Sequence, residues 1–349
     1  MISAPLDRIG IVMMTAIGDA VHVLPVVTAL KRHRPGCRIT WVLQPGPASL
    51  VRGHPAVDDI VLFHKQRGRR AFLDVRRELA TRPFDIVLGL QVYFKAGVVT
   101  SLTRAPVKLG FDRARARDIN WAFTSHKIPR HEPQHVQDQY FEFLHALGIP
   151  HEPVVWDLGP WPAEREWQRQ FFARIERPVV SLVIATSNPQ KDWVPERWAA
   201  VVDALHEDFG LQPVLVGGRS QRELETERLI LEHVRHRPVS TLGVPLRQLV
   251  SILDGSTLVV SLDTGPLHMS VALGRPVISL MGYNNPKRIG PYRRFHDLMI
   301  DAYGDVGENY PISSAHRYNR MSRIMVADVL DRVQRWRDRY GAERPSTRA

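Results

Sequence analysis

The stretch Thr257-Leu258-Val259-Val260-Ser261-Leu262-Asp263-Thr264-Gly265-Pro266-Leu267-His268-Met269-Ser270-Val271-Ala272-Leu273 decides how the chain is read. Thr257 to Leu262 is an apolar run of the length expected of a buried parallel strand. That strand delivers an acid, Asp263, to its C-terminal end. Thr264, Gly265 and Pro266 then turn the chain into a helix-like segment ending at Leu273, with His268 in its first turn. Unpaired N–H groups and the helix dipole make such a start suited to an anion. The plainer reading is an ordinary strand-to-helix turn, with Asp263 as a cap and His268 on the surface. These residues alone leave both readings open.

The pattern repeats in both directions. On the N-terminal side of this stretch, Val179 to Ala185 and Pro213 to Val216 read as strands, the latter ending in Gly217-Gly218. Pro195 to Phe209, Gln221 to Val234 and Leu246 to Leu253 read as helices, the first with proline at its start. Val277 to Met281 is the next strand. The first half shows the same alternation. Arg8 to Met13, Arg38 to Leu43, Ile60 to Phe63, Asp85 to Leu90 and Val107 to Phe111 are strand-like, with helices expected over 20–33, 71–80 and 135–147. Between the halves, Pro150, Pro153, Pro160 and Pro162 mark a link. Two successive β/α runs imply an α/β protein of two Rossmann-like domains facing across a cleft, over 1–160 and 161–325. Residues 326–349 are expected to form a last helix, from about Ser322 to Tyr340, returning to the first domain, and a disordered tail from Glu343 to Ala349.

At 349 residues with 44% hydrophobic and 24% charged content, the chain has the composition of a globular protein with sizeable cores. Its single cysteine, Cys37, excludes an internal disulfide framework and a cysteine-based zinc site, and fits a reducing cytoplasm. No export signal is expected, because Val21 to Leu30 is short and contains His22 and Pro25. No stretch approaches the roughly 20 apolar residues of a membrane span. The formal charge of +11 favours an anionic partner. Lys65, Arg67, Arg69, Arg70, Arg76 and Arg77 form one basic segment; Arg104, Lys108, Arg113, Arg115 and Arg117 form another. Either is also readable as ordinary solvated charge. The arginines lack an interleaved stacking platform, so nucleic acid is not the expected partner.

The first strand is followed by Thr15-Ala16-Ile17-Gly18-Asp19 and a helix carrying His22 and Pro25. In a parallel sheet this loop opens onto the binding crevice. Gly18 permits close backbone approach, and Asp19 stands at the helix start, where capping is an ordinary alternative role. The loop is neither a G-x-G-x-x-G dinucleotide fingerprint nor a phosphate-binding P-loop. Gly18-Asp19 with Pro25 resembles the first motif of glycosyltransferase family 9, the ADP-heptose:lipopolysaccharide heptosyltransferases. The resemblance extends to Asp263-Thr264-Gly265-Pro266, His268, Ala272, Gly274, Pro276, Gly282, Pro286 and Gly290-Pro291. It runs from about Arg8 to the final helix.

The resemblance implies a GT-B fold and an inverting, metal-independent transfer of heptose from ADP-L-glycero-D-manno-heptose, with no cofactor. The acceptor would be an inner-core sugar (Kdo or heptose) of an anionic lipopolysaccharide precursor. It implies Asp19 as the base, and Thr186, Ser187 and Lys191 as donor-phosphate contacts. Asp263, Thr264, Gly265 and His268 would complete the donor site. Gly18, Arg67, Arg69, Arg70 and Arg113 are the candidate acceptor contacts. The enzyme would work in the cytoplasm, peripheral on the inner membrane. Arg219 follows Gly217-Gly218, where family members often carry an acid nearby. Alternatives are another sugar-nucleotide enzyme of this architecture (a different donor, a protein heptosyltransferase or an epimerase) and a non-catalytic binder of anionic glycolipid.

Overall fold

The computed structural model describes Ile2 and residues 4–341. These divide into two compact units: the chain up to Glu132 with Val136–Leu158, and Pro133–His135 with the chain from Gly159. Each unit is built on one six-stranded parallel sheet. In the first, β1 (Arg8–Val12), β2 (Arg38–Leu43), β3 (Asp59–Leu62), β4 (Ile86–Gly89), β5 (Val107–Gly110) and β6 (His126–Lys127) lie in the order β3-β2-β1-β4-β5-β6. In the second, β7 (Val179–Val183), β8 (Gln212–Val216), β9 (Val239–Ser240), β10 (Leu258–Leu262), β11 (Val277–Met281) and β12 (Ile300–Asp301) lie in the order β12-β11-β10-β7-β8-β9.

Both orders have the same topology. The chain winds outward through three strands, then returns beside the first to wind the other way. The strand order therefore switches between β1 and β4 in one sheet and between β7 and β10 in the other. Loops leaving neighbouring strands at such a point part to opposite faces and open a crevice at the C-terminal edge.

The central strands are buried on both faces, which is why they read as continuous apolar runs. In the first unit Val12, Val42, Val61, Phe63, Val75, Leu79 and Val87 share a core. In the second, Val180, Leu182, Trp193, Trp198, Leu205, Val260 and Leu280 do so. The helix Ile17–His33 is buried along most of its length, packing against the helices Pro45–Val51 and Val136–Ala146. The proline-rich link is tied down. The Arg32 guanidinium donates to the carbonyls of Glu152 and Pro153 at 2.9 and 3.0 Å, and His54 Nε2 donates to that of Trp156 at 2.9 Å.

Two expectations need comment. The last helix, Val326–Tyr340, packs on the second unit: Val329, Val333 and Trp336 join the core around Trp193 and Trp198. Its apolar stripe is matched by the helix Pro195–Glu207 and β11. The tail expectation, Glu343 to Ala349, lies outside the described residues.

Candidate functional site

In the first unit the switch point is occupied by the loop leaving β1. Asp19 lies in the first turn of the helix Ile17–His33, and its Oδ2 accepts from the Ala16 N–H at 2.9 Å. Asp19 thus performs the capping job that an acid near a helix start commonly does. Its other oxygen accepts from the Tyr140 hydroxyl at 3.2 Å. The carboxylate is half-buried, with both oxygens directed by the fold. Below it, Gln137 donates to the His22 carbonyl at 2.7 Å and faces His22 Nδ1 at 3.1 Å. This buried amide–imidazole pair locks the helix of Asp19 to the helix of Tyr140. Gln91, just past β4, accepts from Met14 N–H at 2.8 Å and donates to the Thr15 carbonyl at 2.6 Å. The β4 exit therefore holds the β1 exit. Gly18 lies in the same first helical turn.

In the second unit the loops leaving β7 and β10 meet. Lys191 Nζ lies 2.8 Å from Asp263 Oδ2 and 3.3 Å from the Asp263 carbonyl oxygen. Asn284, just past β11, donates to the same Oδ2 at 2.5 Å. Thr264 precedes the helix Gly265–Ala272. Pro266 carries no N–H, and Leu267 N–H donates back to the Thr264 carbonyl at 3.0 Å. The outward amide of this helix start is accordingly that of Gly265. Thr186 is buried and its hydroxyl works inside its own loop, donating to the Asn188 carbonyl at 2.8 Å and accepting from Asn188 N–H at 3.1 Å. Ser187, next to it, is exposed and presents the outward hydroxyl. Asp192 accepts from Thr186 N–H at 2.8 Å, and burial raises its carboxyl above the ordinary value despite that bond and Arg222 nearby.

His268 is buried, and its imidazole is pushed down to about 3, first by burial and then by the charges of His135 and Lys191. It is neutral at physiological pH. The cation beside Asp263 is therefore Lys191, with His268 a neutral neighbour.

An acid at the Gly217-Gly218 turn is present after all. Glu223 reaches back from the helix Gln221–His233 to accept from Gly218 N–H at 2.5 Å and Ser220 N–H at 2.8 Å. The Ser220-x-x-Glu223 spacing is a capping box and was the available signal. Asn284, Gln91 and Tyr140 carry no such signal, because each meets its partner only through tertiary structure.

The basic segments separate into used and exposed charge. Arg115 is consumed by Asp112 at 2.5 Å and Glu142 at 2.6 Å. Arg67 pairs with Asp74 at 2.7 Å, while Arg69 and Arg70 are exposed at the start of the helix Arg69–Ala80. Arg113 lies over the Trp121 ring, 4.6 Å from its centroid. Among the described residues, no group of three or more His, Cys, Asp or Glu side chains is placed to hold a metal ion. No described helix is long and apolar enough to cross a membrane.

Comparison with known proteins bears on this arrangement. The chain is 27% identical over 335 residues to the lipopolysaccharide core heptosyltransferase OpsX of Haemophilus influenzae, covering 93% of this chain and 95% of the relative. A glycosyltransferase family 9 structure from Veillonella parvula superposes with a TM-score of 0.81 at 20% identity, over 96% of this chain and 98% of that one. The E. coli heptosyltransferase WaaC with ADP gives 0.75 at 23% identity, over 94% and 99%. These likenesses identify the fold as GT-B. The model of glycosyltransferase family 9 (heptosyltransferase) matches residues 72–303, which carry β4 through β12 and the whole turn from Asp263 to His268. The chain belongs to glycosyltransferase family 9, the heptosyltransferases.

Proposed function

We propose that this glycosyltransferase moves heptose from ADP-L-glycero-D-manno-heptose to a Kdo or heptose residue of the lipopolysaccharide inner core, inverting the anomeric centre without a metal ion. Asp19 takes the proton of the acceptor hydroxyl as that oxygen attacks the anomeric carbon. The bond to the diphosphate oxygen breaks on the opposite face, and ADP leaves with the electron pair. Lys191, the Ser187 hydroxyl and the Gly265 amide receive the charge that develops on the diphosphate, fixed donors being most effective where charge appears. His268 stays neutral beside them, and Asp263 holds a donor hydroxyl. Gly18, Arg67, Arg69, Arg70 and Arg113 contact the acceptor, an anionic glycolipid met at the cytoplasmic face of the inner membrane.

The observation that carries this reading is the contact of Lys191 with Asp263 at the β7/β10 switch point. A cation and a hydroxyl acceptor are there set side by side, as a nucleotide sugar requires. Two measurements test it. Asp19→Asn should lose roughly 10²–10⁴-fold in turnover, the worth of a positioned base, while still binding ADP; near-normal turnover would sink the assignment. Calorimetry should show ADP preferred over UDP and GDP, with binding lost in Lys191→Ala. A preference for UDP or GDP would keep the fold and remove ADP-heptose as the donor.

A further inference from the structure

We propose that the exits of β4 and β5 form a docking surface for an anionic lipid bilayer. The strands of the first sheet are parallel, so both exits lie on the edge that also carries Asp19. The β4 exit leads through Tyr93 and Phe94 into the helix Phe94–Ser101; the β5 exit runs from Asp112 to the short helical turn Asn120–Phe123. Three large apolar side chains stand out from these loops, Tyr93 51%, Phe94 44% and Ile119 59% exposed. The loops are laced into one surface. Asn120 Nδ2 donates to the Tyr93 carbonyl and Arg117 N–H to the Val92 carbonyl, both at 2.8 Å. Phe94 meets Phe123 edge-on with centroids 5.5 Å apart.

Ile119 is the telling residue. Its φ of 56° and ψ of 18° put a β-branched side chain in the left-handed region, where Asn or Gly would sit without strain. The fold gains little core from a side chain this exposed, so the isoleucine needs a use outside the fold. Around the apolar tips stand exposed cations: Lys95, Arg113 and Arg117, the last lying 5.8 Å from the Tyr93 ring centroid. Aromatic and aliphatic tips ringed by guanidinium and ammonium groups, which outnumber the exposed Asp118 carboxylate beside Ile119, match the interfacial region of a membrane. There the rings sit at headgroup depth and the cations meet lipid phosphates. The choice of a bilayer over other anionic partners rests on the proposed lipid-linked acceptor. Gln91 makes the placement useful, since it ties the β4 exit to Met14 and Thr15, next to Asp19.

The test is sedimentation of the full chain with phosphatidylethanolamine vesicles, with and without phosphatidylglycerol. Wild type should bind only the anionic vesicles, and less as salt is raised. Tyr93→Ser/Ile119→Asn, which leaves the Phe94–Phe123 contact intact and suits the backbone at 119, should lower partition about tenfold or more. Val306→Ser, at an exposed apolar site in the second unit, should bind as wild type does. Turnover of the double variant on a water-soluble, lipid-free acceptor should stay near wild type, showing that the fold is intact. Equal vesicle binding by wild type and the double variant, or no binding by wild type, would overturn the docking surface. Wild-type turnover on the soluble acceptor tests the transferase reading separately: its loss with vesicle binding kept would remove that reading alone.

Discussion

Asp263 receives two donors on one oxygen, Lys191 and Asn284 both meeting Oδ2. That convergence leaves Oδ1 for the donor hydroxyl that Asp263 is proposed to hold, and it makes Asn284 a residue that fixes the carboxylate's rotation. Asn284→Ala should raise the donor KM by about tenfold, the worth of one charge-assisted hydrogen bond, with a smaller change in kcat. An unchanged KM in steady-state kinetics would show that Lys191 alone orients Asp263. His268 gives a second prediction at this scale. Its folded-state value of about 3 lies below the ordinary 6.5, so between these values the unfolded chain binds a proton that the folded chain does not. The stability this group contributes is complete above about pH 6.5 and falls as the solution is acidified towards about pH 3, by at most about 1.4 kcal/mol per pH unit. Urea unfolding of wild type and His268→Asn at a series of acidic pH values checks it. The variant should lose part of the slope, and identical slopes would mean that His268 titrates normally.

At the scale of elements, Ser220 and Glu223 cap the helix Gln221–His233 reciprocally: Ser220 Oγ accepts from Glu223 N–H at 3.3 Å while the Glu223 carboxylate takes Ser220 N–H. Ser220→Ala should cost about 1 kcal/mol, read as a fall in Tm, and no fall would mean that water replaces the hydroxyl. This cap also shows where the sequence was readable. Strands β2 and β11 run over the very residues their apolar runs marked, because strands covered on both faces leave no ambiguity of period. The two-residue strands β6, β9 and β12 are too short to carry any period, and the helix Phe94–Ser101 is too short to show its own. Local signals placed Asp19, Lys191 and Asp263 on strand exits. They could not reveal that Tyr140, 121 residues away, holds Asp19, or that Glu142, 27 residues away, neutralises Arg115. Charge is read from sequence as if each group were alone.

At the scale of the molecule, each unit has its own sheet, its own switch point and its own core. A core of this kind is the unit of cooperative unfolding, so two cores imply two thermal transitions in place of one. Nucleotide is proposed to meet only the second unit, through Lys191, Ser187 and the helix Gly265–Ala272. A ligand stabilises what it binds by RT ln(1 + [L]/Kd), about 2.7 kcal/mol at a hundredfold excess over Kd. Scanning calorimetry with saturating ADP should therefore raise the transition of the second unit by several degrees and leave the other in place. Assignment follows from Lys191→Ala, which should abolish the shift, and from Leu79→Ala in the first core, which should lower only the unshifted transition, a buried leucine being worth about 2–5 kcal/mol there. If ADP moves both transitions together, or only one transition is seen, the two units unfold as a single cooperative body and nucleotide binding at one sheet is felt by the other.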